Sequence, residues 1–250
     1  MDRLRAIEQL PTFAVRRPRL EELLDKVPPG GLGLVVAGAG SGKSVLVSQW
    51  IASHPDDCVA SMVLTDRHND PMVLGGELLN ALEPVQLPLD PGLRKHLVSG
   101  TAGLGEHFFD KLLADLAAQP HDVVIVLDDA HQLTRQELLR DLGQFVDRLP
   151  DNVRLVTAAR WDPELNLRKL RMSGRLVEVR AADLAFDADE ASRMVRSVSG
   201  RDLDERQARR LVERTDGWAA GLQIAGISLR AAREVAEFIA DFAGTDRLVV

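Results

Sequence analysis

Two periodicities alternate along the chain. Short aliphatic runs, Leu32-Gly33-Leu34-Val35-Val36 and Val123-Val124-Ile125-Val126-Leu127, have no polar face. Such runs read as strands covered on both sides, as in a parallel sheet. Residues 58–64, 153–159 and 176–179 read as further strands. Between them, residues 18–27, 45–51, 72–82, 107–118 and 135–149 carry apolar positions at helical spacing. Pro28-Pro29-Gly30-Gly31 and Pro150-Asp151-Asn152 punctuate that pattern as breaks. Residues 83–90, with Pro84, Pro88 and Pro91 in or beside them, read as irregular. Strands alternating with helices predict an α/β fold with a mostly parallel sheet of about five strands flanked by helices. At least one strand separates the Leu32 and Val123 strands in sequence; periodicity does not give their order in space.

After Arg180 the strand pattern stops. Asp187 with Glu190, and Asp204 with Gln207, have capping-box spacing ahead of two helices. Asp216-Gly217 opens a third, residues 218–230, with Leu222, Ala225 and Leu229 on one face. Three helices after an α/β domain predict a small helical lid, with a boundary near Asp183. The expected division is residues 1–182, 183–233, and 234–250, the last being the start of a further module with Ile239, Phe242 and Val249.

The candidate chemistry sits at strand ends. Ala37-Gly38-Ala39-Gly40-Ser41-Gly42-Lys43-Ser44 follows the Leu32 strand and precedes a helix, the setting of a phosphate-binding loop. Glycines let backbone approach an anion without an intervening Cβ. Loop N–H groups and the first helical turn, through Val45, then face phosphate oxygens. Lys43 would reach the β- and γ-phosphates, and the Ser44 hydroxyl would coordinate Mg²⁺. Ala37 stands where this loop pattern has its first glycine. Asp128 and Asp129 close the Val123 strand at the edge where open α/β sheets bind ligands. Asp128 fits the Mg²⁺ carboxylate that works with Ser44. Asp129 fits the group that orients or deprotonates an attacking water. Arg160, ending the Val153 strand, could sense the γ-phosphate. Arg17 and Pro18, within Arg16-Arg17-Pro18-Arg19, could contact the base or phosphates. Asp66, Arg67 and Asp70 read as a solvated turn.

Composition narrows the class. The 250 residues are 45% hydrophobic, enough for an α/β domain and a small appendage. No apolar run is long enough to span a bilayer, and the first residues lack a signal-peptide core. The lone Cys58 suits a reducing cytoplasm and reads as a buried small hydrophobe. Six histidines show no metal-ligand spacing, and a net charge of −7 gives no support for DNA binding by this segment.

The set Arg17-Pro18-Arg19-Leu20, residues 37–44 with Gln49-Trp50, Leu64 with Asn69-Asp70-Pro71, Leu127-Asp128-Asp129-Ala130-His131, Arg160-Trp161-Asp162-Pro163, Asp183-Leu184 with Phe186, and residues 215–223 resembles the large ATP-binding LuxR-type regulators. These are the maltose-activator-like branch of the signal-transduction NTPases with numerous domains. The resemblance runs from about residue 16 to residue 250. It implies an ATP/ADP switch with Mg²⁺, a resting ADP state and a self-associating ATP state. It places Gly217 and Trp218 near the nucleotide. It implies a winged-helix module after the lid, then sensor repeats and a C-terminal helix-turn-helix that carries DNA binding. Gly38, Ser41 and Val45 depart from that family's usual proline, aromatic and threonine. Some members carry the module behind a protein kinase domain. Three functions follow: a slowly hydrolysing regulatory switch, a small-molecule phosphotransferase, or a nucleotide-holding module without turnover.

Overall fold

The computed structural model describes residues 10–54, 58–83, 89–97 and 104–242. Five strands appear among them: β1 (Leu32–Val36), β2 (Cys58–Val63), β3 (Val123–Asp128), β4 (Val153–Ala159) and β5 (Leu176–Arg180). The helices are α1 (Pro18–Leu24), α2 (Lys43–Ser53), α3 (Pro71–Leu82), α4 (Gly92–His96), α5 (Gly105–Ala117), α6 (Gln136–Asp147) and α7 (Leu167–Met172). They continue with α8 (Ala181–Leu184), α9 (Ala188–Ser199), α10 (Glu205–Thr215), α11 (Ala219–Leu229) and α12 (Val235–Asp241).

All strand pairs are parallel, in the order β2-β3-β4-β1-β5. The strand intervening in space between β1 and β3 is therefore β4, not β2. Alternation along each strand feeds two cores. Leu32, Leu34, Ile125, Leu127 and Leu155 pack with Leu78, Phe108, Leu112 and Phe145 of the helices on one face. Val35, Val124, Val126, Val156 and Val179 pack with Leu20, Leu24, Leu46 and Trp50 on the other. Cover on both faces is why β1 and β3 have no polar side. A third core, including Ala191, Val195, Leu211, Leu222, Ala225 and Leu229, holds the lid together.

Local rules account for most boundaries. Asp70 caps α3, accepting from the Met72 N–H at 2.8 Å, with Pro71 at the first helical position. The capping boxes Asp187/Glu190 and Asp204/Gln207 are both formed. Asp216 closes α10 in the left-handed region (φ 50°), and Trp218 is the N-cap of α11. The Asp216-Gly217 step is thus an exit as well as an entry. Asp183 falls inside α8, its carboxylate accepting from the Arg180 N–H at 2.8 Å. Periodicity missed α4 and α7, both too short to show a face. Cys58 is half-buried rather than buried. Val249 lies outside the described residues.

On strand β5, Glu178 accepts from Arg171 at 2.8 and 2.9 Å and from Arg180. The Arg171 hydrogen bonds foremost, then Arg180, hold its carboxyl down to about 2. A depressed carboxyl contributes stability above its unfolded pKa and loses it as pH falls through the folded one. Glu178→Gln should therefore lower Tm at pH 7, and the gap from wild type should close between about pH 4.5 and pH 2. Thermal melts across that range check it; a gap constant with pH would refute the linkage.

Candidate functional site

The carboxyl edge of the sheet collects the loops after β1, β3 and β4. Pairing continues just past the strands: the Ala37 N–H donates to the Ala159 carbonyl at 3.3 Å, and the Leu64 N–H to the Asp128 carbonyl at 2.9 Å. The loop ends thus stay level with one another.

The loop after β1 turns at Gly40 (φ 68°) and Gly42 (φ 83°), both left-handed. Gly42 is the N-cap of α2, with no side chain capping that helix. The first amides of a helix have no carbonyl one turn back, so they face outward as anion donors. Around Gly38 the space that a Cβ would occupy is open. Lys43 is 7% exposed and its ammonium donates to the Gly38 carbonyl at 2.9 Å; the Ser41 hydroxyl donates to the same oxygen at 3.0 Å. Burial pushes the Lys43 pKa down, opposed by the charges of Asp129 and Asp128.

Asp128 is buried beside Ser44. Burial raises its carboxyl pKa; the hydrogen bond with the Ser44 hydroxyl and the Asp129 N–H at 2.8 Å oppose that rise. A hydroxyl and a carboxylate side by side are hard oxygen donors of the kind Mg²⁺ takes, with phosphate oxygens and water filling its other positions. Ser44 and Asp128 fit the ion in chemistry. Among the described residues no group of three or more His, Cys, Asp and Glu side chains forms a metal site.

Asp129 holds an unusual backbone, φ 54° and ψ 37°. A non-glycine residue there costs about 1–3 kcal/mol and persists only where its surroundings over-determine it. Its carboxylate lies 3.6 Å from His131 Nδ1. His131 is 6% exposed, packs edge-on against Trp161 at 5.1 Å, and has no hydrogen-bond partner for either ring nitrogen. Burial lowers its pKa, opposed by the nearby charge of Asp129. Arg160 is exposed, and its charge reaches both Lys43 and His131.

The lid meets the loop directly. The Trp218 indole N–H donates to the Ala39 carbonyl at 2.9 Å, and the Ala220 N–H to the Gly40 carbonyl at 3.0 Å. A Cβ on Gly40 would stand 2.7 Å from Ala220 Cβ and 3.0 Å from the Trp218 ring. Gly217 (φ 65°) has no such room either: a Cβ there would meet the Phe186 backbone at 2.8 Å. Loop, lid and the N-terminal segment enclose an apolar cavity of about 200 Å³ whose walls include Phe13, Val15, Gly40, Val45, Gln49 and Ala220.

Arg17 also borders this cavity; part of its guanidinium is paired with the lid, and its buried Nε has no hydrogen-bond partner. Arg17 pairs with Glu190 at 3.2 Å, donates to the Ala185 carbonyl at 3.1 Å and lies over the Phe186 ring at 4.3 Å. Pro18 opens α1 and is exposed, away from the cavity lining. Thus Lys43, Ser44, Asp128, Asp129 and Arg160 converge at one edge, Trp218 joins them through the loop, and Arg17 is drawn to Glu190 and the Ala185 carbonyl. Sequence reading gave no role to His131, Trp161, Gln49 or residues 13–15. His131, Trp161 and Gln49 stood in quoted motifs without a period or charge pattern to single them out. Four of the lid arginines have partners within the helical part: Arg193 with Asp189, Arg196 with Asp202, Arg209 with Glu205, and Arg214 with the Ala240 and Phe242 carbonyls.

Part of the HTH-type transcriptional regulator MalT of Vibrio campbellii is 29% identical over 211 residues, covering 84% of this chain and 23% of that protein. The serine/threonine-protein kinase PknK of Mycobacterium tuberculosis is 26% identical over 237 residues, 94% of this chain and 21% of that one. The chain therefore spans less than a quarter of these curated relatives. In fold it is similar to the Walker-type ATPase of Pyrococcus abyssi, with a TM-score of 0.57 at 16% identity, covering 92% of this chain and 74% of that one. No described helix is long and apolar enough to cross a membrane. The family described as AAA domain matches residues 29–165. That match takes in the phosphate loop, both carboxylates and Arg160, so the chain belongs to the AAA domain family and is a P-loop nucleotide-binding module.

Proposed function

We propose that this chain binds ATP with Mg²⁺, hydrolyses it slowly, and uses the nucleotide state to set the lid position in a longer signal-responsive transcriptional regulator. The carrying observation is the pair of hydrogen bonds from Trp218 and Ala220 to carbonyls 39 and 40. Amides of the same loop point toward phosphate, so a loop that adjusts to a γ-phosphate shifts the carbonyls that hold the lid. Similarity to part of MalT supports the regulator reading. Self-association in the ATP state and DNA binding through a separate helix-turn-helix belong to the same proposal, as does a cytoplasmic setting.

In this reading Lys43 leaves the Gly38 carbonyl for the β- and γ-phosphates, exchanging one hydrogen bond for charge pairing. Ser44 and Asp128 hold Mg²⁺, which when bound neutralises phosphate charge. Asp129 orients the attacking water, with His131 beside its carboxylate at 3.6 Å. Arg160 stands where charge builds on the γ-phosphate. Gly38–Val45 line the phosphates, with Gly217 and Trp218 at the lid side. The lid is a separate unit from about residue 183 to residue 233, and residues 234–250 begin the next module.

Lys43→Ala should abolish binding of a labelled ATP analogue while leaving the melting transition in place; unchanged affinity would sink the site. Asp129→Asn should keep MgATP binding and slow hydrolysis by about 10²-fold or more, whereas Asp128→Asn should weaken the Mg²⁺ dependence of binding. Identical behaviour of the two variants would refute the division of roles.

The lid link has its own test. Protease cleavage at residues 181–189 should differ between ADP and a slowly hydrolysed ATP analogue, and Gly40→Ala should erase the difference. Equal cleavage of the wild type in both states would remove the switch.

A further inference from the structure

The carboxylate loop is braced from a neighbouring strand end. After β2 the chain makes a 3-10 turn, Asp66–Asn69, beside the turn Ala130–Gln132 that follows β3. Asn69 joins the two. Its Nδ2 donates to the Asp66 carbonyl at 2.9 Å and to the Gln132 carbonyl at 2.8 Å. Its Oδ1 accepts from the Thr134 N–H at 2.8 Å, the Arg135 N–H at 3.0 Å and the Thr134 hydroxyl at 3.3 Å. Two carbonyls on one end and two backbone N–H groups on the other fix the amide orientation. Arg135 returns a contact to the Asn69 carbonyl at 3.4 Å.

Asn69 is itself well held. His68 is fully buried; its Nδ1 accepts from the Thr65 N–H at 2.8 Å, so its Nε2 carries the proton and meets Glu77 at 2.7 Å. The turn is therefore a rigid post. The segment it grips starts at Asp129, whose carbonyl accepts from the Gln132 N–H at 2.9 Å. Upstream, β3 holds Asp128 through the Leu64 N–H. Asp129 is thus the one left-handed link between two anchored stretches, which keeps a strained backbone from relaxing.

We infer that Asn69 is a positioning residue for the hydrolytic carboxylate: by tying residues 132–135 to the turn after β2 it holds the Asp129 backbone in its left-handed conformation and so aims the carboxylate. This rests on the proposed hydrolysis at that site. Asn69 touches neither the phosphate loop nor Lys43 through any of these bonds, so nucleotide affinity should be spared. Misplacement of a reacting group by about 1 Å can cost 10²-fold in rate.

The test compares wild type, Asn69→Ala, Asn69→Asp, Asp129→Asn and the Asn69→Ala/Asp129→Asn double variant, all as the 250-residue chain. Three quantities are measured: kcat and KM for MgATP, affinity for a labelled ATP analogue, and backbone amide exchange at residues 129–135. Asn69→Ala should lower kcat about 10- to 10²-fold, with affinity within about threefold, and speed exchange at residues 129–135. Asn69→Asp keeps the acceptor for Thr134 and Arg135 but loses both donors, and should fall between. Adding Asn69→Ala to Asp129→Asn should cost little more. Unchanged kcat, a parallel loss of kcat and affinity, or full additivity with Asp129→Asn would overturn the brace. If the wild type shows no turnover, the hydrolysis reading fails and exchange alone decides: faster exchange in Asn69→Ala supports the brace, equal exchange refutes it.

Discussion

The structure depends on one arrangement of strands: β4 lies between β1 and β3, all parallel and level at their carboxyl ends. It brings a cation, two carboxylates and a strand-end arginine to one edge. Lys43 can be buried only because a carbonyl takes one of its donors and two carboxylates lie within electrostatic reach. A buried ammonium without such partners gives up its charge or the fold. The same closeness opposes the rise that burial imposes on Asp128, through the Ser44 hydroxyl that follows β1, two strands away.

The lid is fixed at two places of different character. Where the chain passes from α8 to α9, Arg17 and Arg19 converge on Glu190 and on the carbonyls of Asp183 and Ala185. Arg17 and Glu190 are both nearly inaccessible to solvent, so losing either partner would strand a buried charge. At the loop, two neutral hydrogen bonds hold the lid, each worth about 1 kcal/mol net. The contacts beside residue 185 are thus charged and buried, while those at the loop are neutral.

Polar bracing elsewhere supports the same edge. Asn69 sits half-buried with its amide fully used, and Asp129 carries the strained backbone that this bracing sustains. Such arrangements concentrate where function needs a group held away from its relaxed position.

Local signals were legible in the chain before folding. The all-apolar runs of β1 and β3, the glycines flanking Ser41, the capping boxes of α9 and α10 and the proline breaks all act within a few residues, so one-dimensional spacing carries them. From these came the strands, the phosphate loop, the carboxylate pair and the helical lid. The spatial place of β4 was not legible, because strand order follows from crossovers across the whole sheet. The pairing of Arg17 with Glu190, more than 170 positions away, was not legible, because a basic turn carries no mark of the partner it will meet. Gly40 read as freedom for the loop, while the fold adds that Ala220 and Trp218 leave it no room for a side chain. Asn69 stood only in a quoted motif and became a bridge only when β2 paired with β3. Sequence alone determined which chemistry the chain carries and on which elements; tertiary structure decided which of those groups meet, because burial, charge pairing and hydrogen bonding act between residues that only packing brings together.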